Sequence, residues 1–238
     1  MKVSIVIPTK NEEVLLPRLL SALQRQTYRN FEVIVADAWS TDRTREFAES
    51  MGARVVDGGM PGPGRNRGAE HATGDLLFFM DADALPPHDA FLGDVVTAFA
   101  KHEVHLATCP LKPLSDKAGD HFGHDVYNHY VRLTENVRPH APGSCIIVLR
   151  AVHEKIGGFD ENVVFAEDME YVQRAHKQGY RFKMLPTQPV YVSVRRLEKD
   201  GRLAIAAKYI YGEIYMMAKG PFKSMPYEYV MGGDEPKR

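Results

Sequence analysis

"DLLFFMDADALPP" occupies residues 75–87. From Leu76 to Met80 it is apolar on both faces of an extended chain, the pattern of a strand covered on both sides in the middle of a sheet. The run then ends in Asp81-Ala82-Asp83, where a core strand has no use for charge. Two carboxylates one residue apart at a strand exit suit a hard divalent cation, which also coordinates the oxygens of a diphosphate. The plainer use of one of them is to cap a following helix.

Outward from this stretch, short β-branched runs alternate with helical patterns. "VSIVI" (3–7), "FEVIVA" (31–36) and "RVV" (54–56) read as strands, with helices over 12–26 and 41–52 between them. Such alternation predicts βαβ units and a parallel sheet. Ser40 or Thr41 is the expected cap of the second helix, with Asp42 at its positive end. The glycine- and proline-rich residues 58–64 read as a loop, and 65–72 as a short helix. Beyond the aspartates the expected order is helix 88–101, strand 104–109, a histidine-rich helix 119–134 and strand 144–149. Helix 167–179, strands 181–185 and 189–194, helix 202–219 and a polar tail follow. The later half breaks the alternation, which predicts a mixed-sheet portion on the same core.

The chain has 238 residues, enough for a sizeable core without disulfides. Lys and Arg number 30 against 31 Asp and Glu, so no global field points to nucleic acid or an anionic membrane. Cys109 and Cys145 show no metal-ligand or redox spacing and read as reduced, buried thiols of a cytoplasmic protein. No window is apolar enough for a spanning helix, and the first apolar stretch is too short for a signal peptide.

In open α/β sheets ligands bind beyond the carboxyl ends of the strands. Pro8 and Thr9, Asp37, and the Asp81/Asp83 pair all fall at that edge. No glycine-rich phosphate loop follows the first strand, which argues against a dinucleotide fold and a P-loop. Just upstream of the pair, "GRNRG" sets Arg65, Asn66 and Arg67 at a helix start, where they face a nucleotide or remain solvated. Glu167 and Asp168 open another helix, where carboxylates are favoured, and adjacent residues point different ways. One can take a proton from an attacking hydroxyl while the other caps or pairs.

Three further features stand beside these. His121, His124, Asp125 and Asn128 share a helical face, as a solvated surface, an acceptor-side wall or a metal site. Arg195 and Arg196 follow the last strand, where the chain can return over a diphosphate. Helix 202–219 carries Leu203, Ile205, Ile210, Ile214 and Met217, read as core packing or a dimer seam, with interfacial membrane contact as the alternative.

"VSIVIPTKNEE", "VIVADAWSTDRT", "GRNRGAEHATGDLLFFMDAD", "GGFDE" and "FAEDMEYVQRAHKQGYR" occur in the order and spacing of family 2 glycosyltransferases, and from residue 3 to about 196 the chain resembles that family of inverting enzymes. The resemblance implies a GT-A fold: α/β, with a Rossmann-like, mostly parallel central sheet flanked by helices and a mixed-sheet acceptor side. Residues 1–110 would form the nucleotide-sugar half and 111–238 the acceptor half of one continuous domain. Pro8, Thr9 and Glu12 would line the nucleotide pocket, Asp37 would bond the base, usually uracil, and Asp81-Ala82-Asp83 would be the DxD motif. Within it Asp83 is the expected metal ligand, with Asp81 facing the ribose or sugar, or sharing the metal. Arg65, Asn66, Arg195 and Arg196 complete the expected donor contacts, and Asp168 matches the general base. The implied cofactor is Mg or Mn, and the implied partners are a nucleotide-sugar, expected to be UDP-linked, and a saccharide or lipid-linked acceptor. Nucleic acid is not expected; a homodimer or peripheral membrane contact would use the C-terminal helix, the latter at the cytoplasmic face. One departure is Asp37-Ala38-Trp39-Ser40, where many members read Asp-Asp-Gly-Ser.

Two rival readings remain. A haloacid-dehalogenase-type phosphohydrolase also has Asp-x-Asp after an apolar strand, but its pair belongs on an early strand. A non-catalytic nucleotide-sugar binding module would have little use for Asp168.

Overall fold

The computed structural model describes residues 1–224; the polar tail beyond lies outside the described residues. The first part runs β1 (Val3–Thr9), α1 (Leu16–Gln24), β2 (Phe31–Asp37), α2 (Thr44–Ser50), β3 (Arg54–Asp57), α3 (Pro61–Glu70) and β4 (Leu76–Phe79). Next come β5 (Ala84–Leu85), α4 (Phe91–His102), β6 (Leu106–Thr108), β7 (Leu111–Pro113) and α5 (Ala118–Thr134). The last described part is β8 (Ile146–Leu149), α6 (Arg150–Lys155), α7 (Glu167–Lys177), β9 (Phe182–Met184), β10 (Val190–Val192), α8 (Arg195–Lys199) and α9 (Arg202–Lys219).

Seven strands form the central sheet in the order β3-β2-β1-β4-β8-β6-β9. All pairs are parallel except those of β8, which is antiparallel to β4 and β6. Adjacent residues of a strand enter opposite layers: Ile5, Ile7 and Phe78 pack under α1 and α4 with Leu19 and Phe91. Val6 and Phe79 pack on the other face with Phe159 and Tyr171. Strand β4 is fully buried along its length, as its two-sided apolar pattern requires.

A second sheet, β5-β10-β7, forms beside the first. It begins immediately after the aspartates: Ala84 and Leu85 pair with Val192 and Tyr191 of β10. This pairing brings the end of β10, and with it the first residue of α8, back onto Asp83.

Several expectations are corrected. Helix α3 starts at Pro61, not 65, because proline suits the first helical turn. Its glycines let it approach closely, Gly64 to Pro8 and Gly62 to the Glu167 side chain. Neither Ser40 nor Thr41 caps α2: Arg43 holds the cap position, and Asp42 just before it accepts the Thr44 N–H at 3.0 Å. Elements β7, α6 and α8 are too short to show a period and were not foreseen. Helix α9 is not core: only Ile205 and Gly212 are buried. Cys109 and Cys145 are free and buried, as expected. Among the described residues no helix is long and apolar enough to cross a membrane.

Candidate active site

A cleft of about 460 Å³ opens at the carboxyl ends of β1 and β4 and is closed on its far side by α7, α8 and α9. Pro8, Glu12, Arg65, Asp81, Ala82, Asp83, Asp168, Arg195 and Arg196 all line it, although they come from distant parts of the sequence.

Arg65 is the hub on one side. Its Nη2 donates to Asp81 Oδ1 at 3.0 Å and its Nη1 to Glu167 Oε1 at 2.8 Å, with the side chain only 3% exposed. The guanidinium also lies 5.5 Å over the Phe159 ring. Burial alone would lower its pKa, but the charges of Asp81, Glu167 and Asp168 outweigh that and raise it.

Asp168 stands behind this hub. Its oxygens accept the N–H of Met169 and the N–H of Gly143, each at 2.8 Å. Glycine at 143 leaves room for the Arg65 guanidinium, which a Cβ there would push aside. Burial, then the neighbouring charge of Glu167, pushes the Asp168 carboxyl up to about 7, while Arg65 opposes the rise. A carboxylate so placed is poised to accept a proton near neutral pH.

Arg195 is the hub on the other side. Its Nη2 donates to Glu12 Oε1 at 2.9 Å and lies 3.4 Å from Asp83 Oδ2. Burial raises the Asp83 carboxyl, the charge of Asp81 raises it further, and Arg195 and Arg196 oppose this. Burial also raises Glu12, against Arg195 and with Asp83 and Asp81. Glu12 Oε2 is buried without a hydrogen-bond partner among the described residues.

A hard cation fits this donor set. Asp81, Asp83 and Glu12 crowd unfavourably as carboxylates, and one buried oxygen has no donor; oxygen ligands supplied by two carboxylates plus a substrate are the Mg or Mn pattern. Among the described residues no cluster of three or more His, Cys, Asp or Glu forms a self-sufficient metal cage.

Three expected donor residues are not brought to the cleft. Asp37 is fully buried, and its oxygens accept from Thr9 Oγ1, Ser40 Oγ, the Ser40 N–H and Arg45, so its carboxylate already holds the β1–β2 edge together. Thr9 is buried with it. Asn66 is spent on the 157–161 loop, exchanging hydrogen bonds with the backbone of Phe159 at 2.9 and 2.8 Å.

The histidine face forms no group of three metal-ligating side chains among the described residues. His121 and His124 bond to the backbone oxygens of Ser115 and Asp120, and Asn128 clamps both backbone groups of Leu111. Of that face His124 reaches the cleft. Sequence reasoning missed Gly143 and the Arg195–Glu12 pair. The "PGS" turn at 142–144, directly before a strand, was the available signal for the first.

The family model described as "Glycosyl transferase family 2" matches residues 4–157. The 4,4'-diaponeurosporenoate glycosyltransferase of Staphylococcus haemolyticus is 36% identical over 110 residues, 42% of this chain and 29% of that protein. The chain thus spans less than half the length of the curated relatives it matches first. The mannosyltransferase PcManGT from Pyrobaculum calidifontis, solved with GDP-Man and Mn2+, superposes with a TM-score of 0.67 at 24% identity, covering 92% of this chain and 69% of that one. TarS 1–349 of S. aureus, solved with UDP, gives 0.65 at 22% identity, over 82% of this chain and 61% of its own. These likenesses show the fold, an α/β architecture of the GT-A type.

Proposed function

Because the chain belongs to glycosyl transferase family 2, we propose that it transfers a sugar from a nucleoside-diphosphate sugar to an acceptor hydroxyl with inversion. The observation that carries this reading is Arg65, which ties the Asp81-Ala82-Asp83 turn to the helix bearing Asp168 inside one cleft. A donor-side acid pair and an acceptor-side base are what an inverting displacement needs at its two ends.

Residues 1–110 form the donor half and the rest the acceptor half of one domain. Pro8, Glu12 and Ala82 line the donor pocket, while Arg195 and Arg196 face the diphosphate. Asp83 and Asp81 would hold a Mg or Mn ion, which when bound supplies charge stabilisation to the departing diphosphate. Asp168 takes the acceptor hydroxyl proton as that oxygen bonds the anomeric carbon; the bond from that carbon to the diphosphate oxygen breaks, and the electron pair leaves with the diphosphate. Arg65 keeps the positive charge of the pocket between the two sites, so that Asp168 loses its proton near neutral pH despite burial.

Uridine is the base to test first, on the resemblance, since Asp37 does not offer a free acceptor. The acceptor is a saccharide or lipid-linked hydroxyl. The phosphohydrolase reading is not favoured, since the Asp pair follows the central β4 and not an early strand. The test is calorimetric titration of UDP-, GDP- and ADP-sugars with Mn or Mg. Binding of one series that chelator removes is the expected result; no binding of any of them overturns the reading.

A further inference from the structure

Trp39 is the only tryptophan of the chain, and it stands 67% exposed just after β2. Its backbone is left-handed, with a φ of 54°. That conformation strains a bulky residue and suits glycine. Strain kept at an exposed aromatic points to a use outside folding.

The turn that carries it is firmly held. Asn11, after β1, is left-handed as well, with a φ of 52°, and the two turns are laced together. The Asn11 N–H donates to Ser40 Oγ at 2.8 Å, and the Thr41 N–H donates to Asn11 Oδ1 at 2.9 Å. Ser40 donates in turn to both oxygens of the buried Asp37. Trp39 is thereby fixed at the carboxyl edge of the sheet, beside the turn whose Pro8, Lys10 and Glu12 line the cleft.

Sheet order sets the direction in which a nucleotide runs from the Asp pair. Asp81 and Asp83 follow β4, and Asp168 is held by the Gly143 N–H shortly before β8, the neighbour of β4 on one side. On the other side lie β1 and then β2. With the acceptor end toward β8, the departing nucleoside extends over β1 to β2. Strand spacing puts the end of β2 about 10 Å from that of β4, which is the span of a ribose and its base.

We propose that Trp39 is the platform on which the nucleobase of the donor stacks. The proposal rests on the transferase reading and adds to it the group that meets the base. At this edge the Asp37 carboxylate is committed to Thr9, Ser40 and Arg45, so the indole face is the surface left to offer. Every base has a π-face, so stacking supplies affinity without choosing among bases.

Being the only tryptophan, Trp39 is its own reporter. UDP, GDP and ADP are titrated with Mg, in parallel by calorimetry and by tryptophan emission, with inorganic diphosphate as the probe that lacks a base. A nucleotide that binds by calorimetry is expected to change the emission saturably with the same Kd, while diphosphate leaves it unchanged. Trp39→Ala should weaken that nucleotide by about 5–150-fold and diphosphate not at all, and Trp39→Phe should retain part of the affinity. Trp39→Gly separates a ligand role from a structural one: with the left-handed strain relieved, its melting midpoint should be no lower than that of the wild type while nucleotide affinity falls.

The platform is overturned, and the transferase reading left standing, if a nucleotide binds without a change in emission, if diphosphate produces the same change, or if folded Trp39→Ala binds as the wild type does. If stability and affinity fall together in Trp39→Gly, the residue serves the fold and the platform is likewise overturned. No binding of any nucleotide to the wild type overturns both. The wild-type emission arm decides even if a variant fails to fold.

Discussion

Arg65 and Asp81 stand 3.0 Å apart, and the second arm of the same guanidinium holds Glu167 at 2.8 Å. The strand that supplies the Asp pair and the helix that supplies Asp168 are thus joined through one almost fully buried cation. Removing one partner of such a pair leaves uncompensated buried charge.

Arg65→Met is therefore expected to destabilise the fold by about 3–5 kcal/mol, toward the lower end because Asp81 is partly solvated. Arg65→Lys keeps the charge but not the fork and should fall between. Urea denaturation measures both. A wild-type midpoint for Arg65→Met would remove the hub from this account.

Much of this arrangement is legible in the residues. The two-sided apolar run 76–80 marks β4 as central, and the alternation to residue 57 marks the parallel half, because long-range burial and local period agree there. The edge between β7 and α8 is not legible, since strands of three residues and a five-residue helix have no period to read. Arg195 and Arg196 could be set after the last strand, but the Glu12 partner, 183 positions away, depends on β5 pairing with β10. Asp37 and Asn66 show the limit from the other side: polar residues at a ligand-binding edge can equally be the hydrogen bonds that build the edge. Helix α9 is not the core element its row suggested, because an amphipathic row shows that a face is apolar and not what covers it.

The cation site is tested at Asp83. Asp83→Asn keeps the size of the side chain and removes its charge. The variant is expected to lose the Mn- or Mg-dependent part of nucleoside diphosphate binding, measured by calorimetry with and without chelator. Unchanged affinity in the variant, or no chelator effect in the wild type, would take the metal role from this pair.

A separate prediction concerns acid stability. His153 is buried, its Nδ1 lies 2.9 Å from the Tyr171 hydroxyl, and burial, then the charge of Arg174, lowers its pKa to about 4. The unfolded imidazole takes up a proton near its ordinary value of 6.5 while the folded one does not. The stability this group contributes is therefore present above pH 6.5 and is lost as pH falls through about 4. His153→Gln should flatten the melting temperature across that window relative to the wild type. An identical acid slope in both proteins would assign it to other groups.

Asp168 is expected to act in chemistry and not in donor binding. A general base contributes in the transition state, so Asp168→Asn should lower turnover by about 10²–10⁴-fold with donor affinity nearly intact. Asparagine keeps the size of the side chain and one acceptor oxygen, toward Gly143 or Met169, so a catalytic loss is not confused with a frayed helix; a cooperative melt confirms this. The pH profile gives a second readout. Burial and Glu167 raise the carboxyl to about 7, so the base becomes available as pH rises through that value, and the wild-type rate should climb there and then level off. The residual rate of Asp168→Asn should lack that limb. Glu167→Gln is the discriminating control: it also removes a charge that raises Asp168, so it should shift the limb to lower pH while retaining transfer. If Glu167→Gln loses the limb and Asp168→Asn keeps it, the base is Glu167; if neither substitution alters the profile, the start of α7 serves to hold Arg65 and the proton leaves by another route.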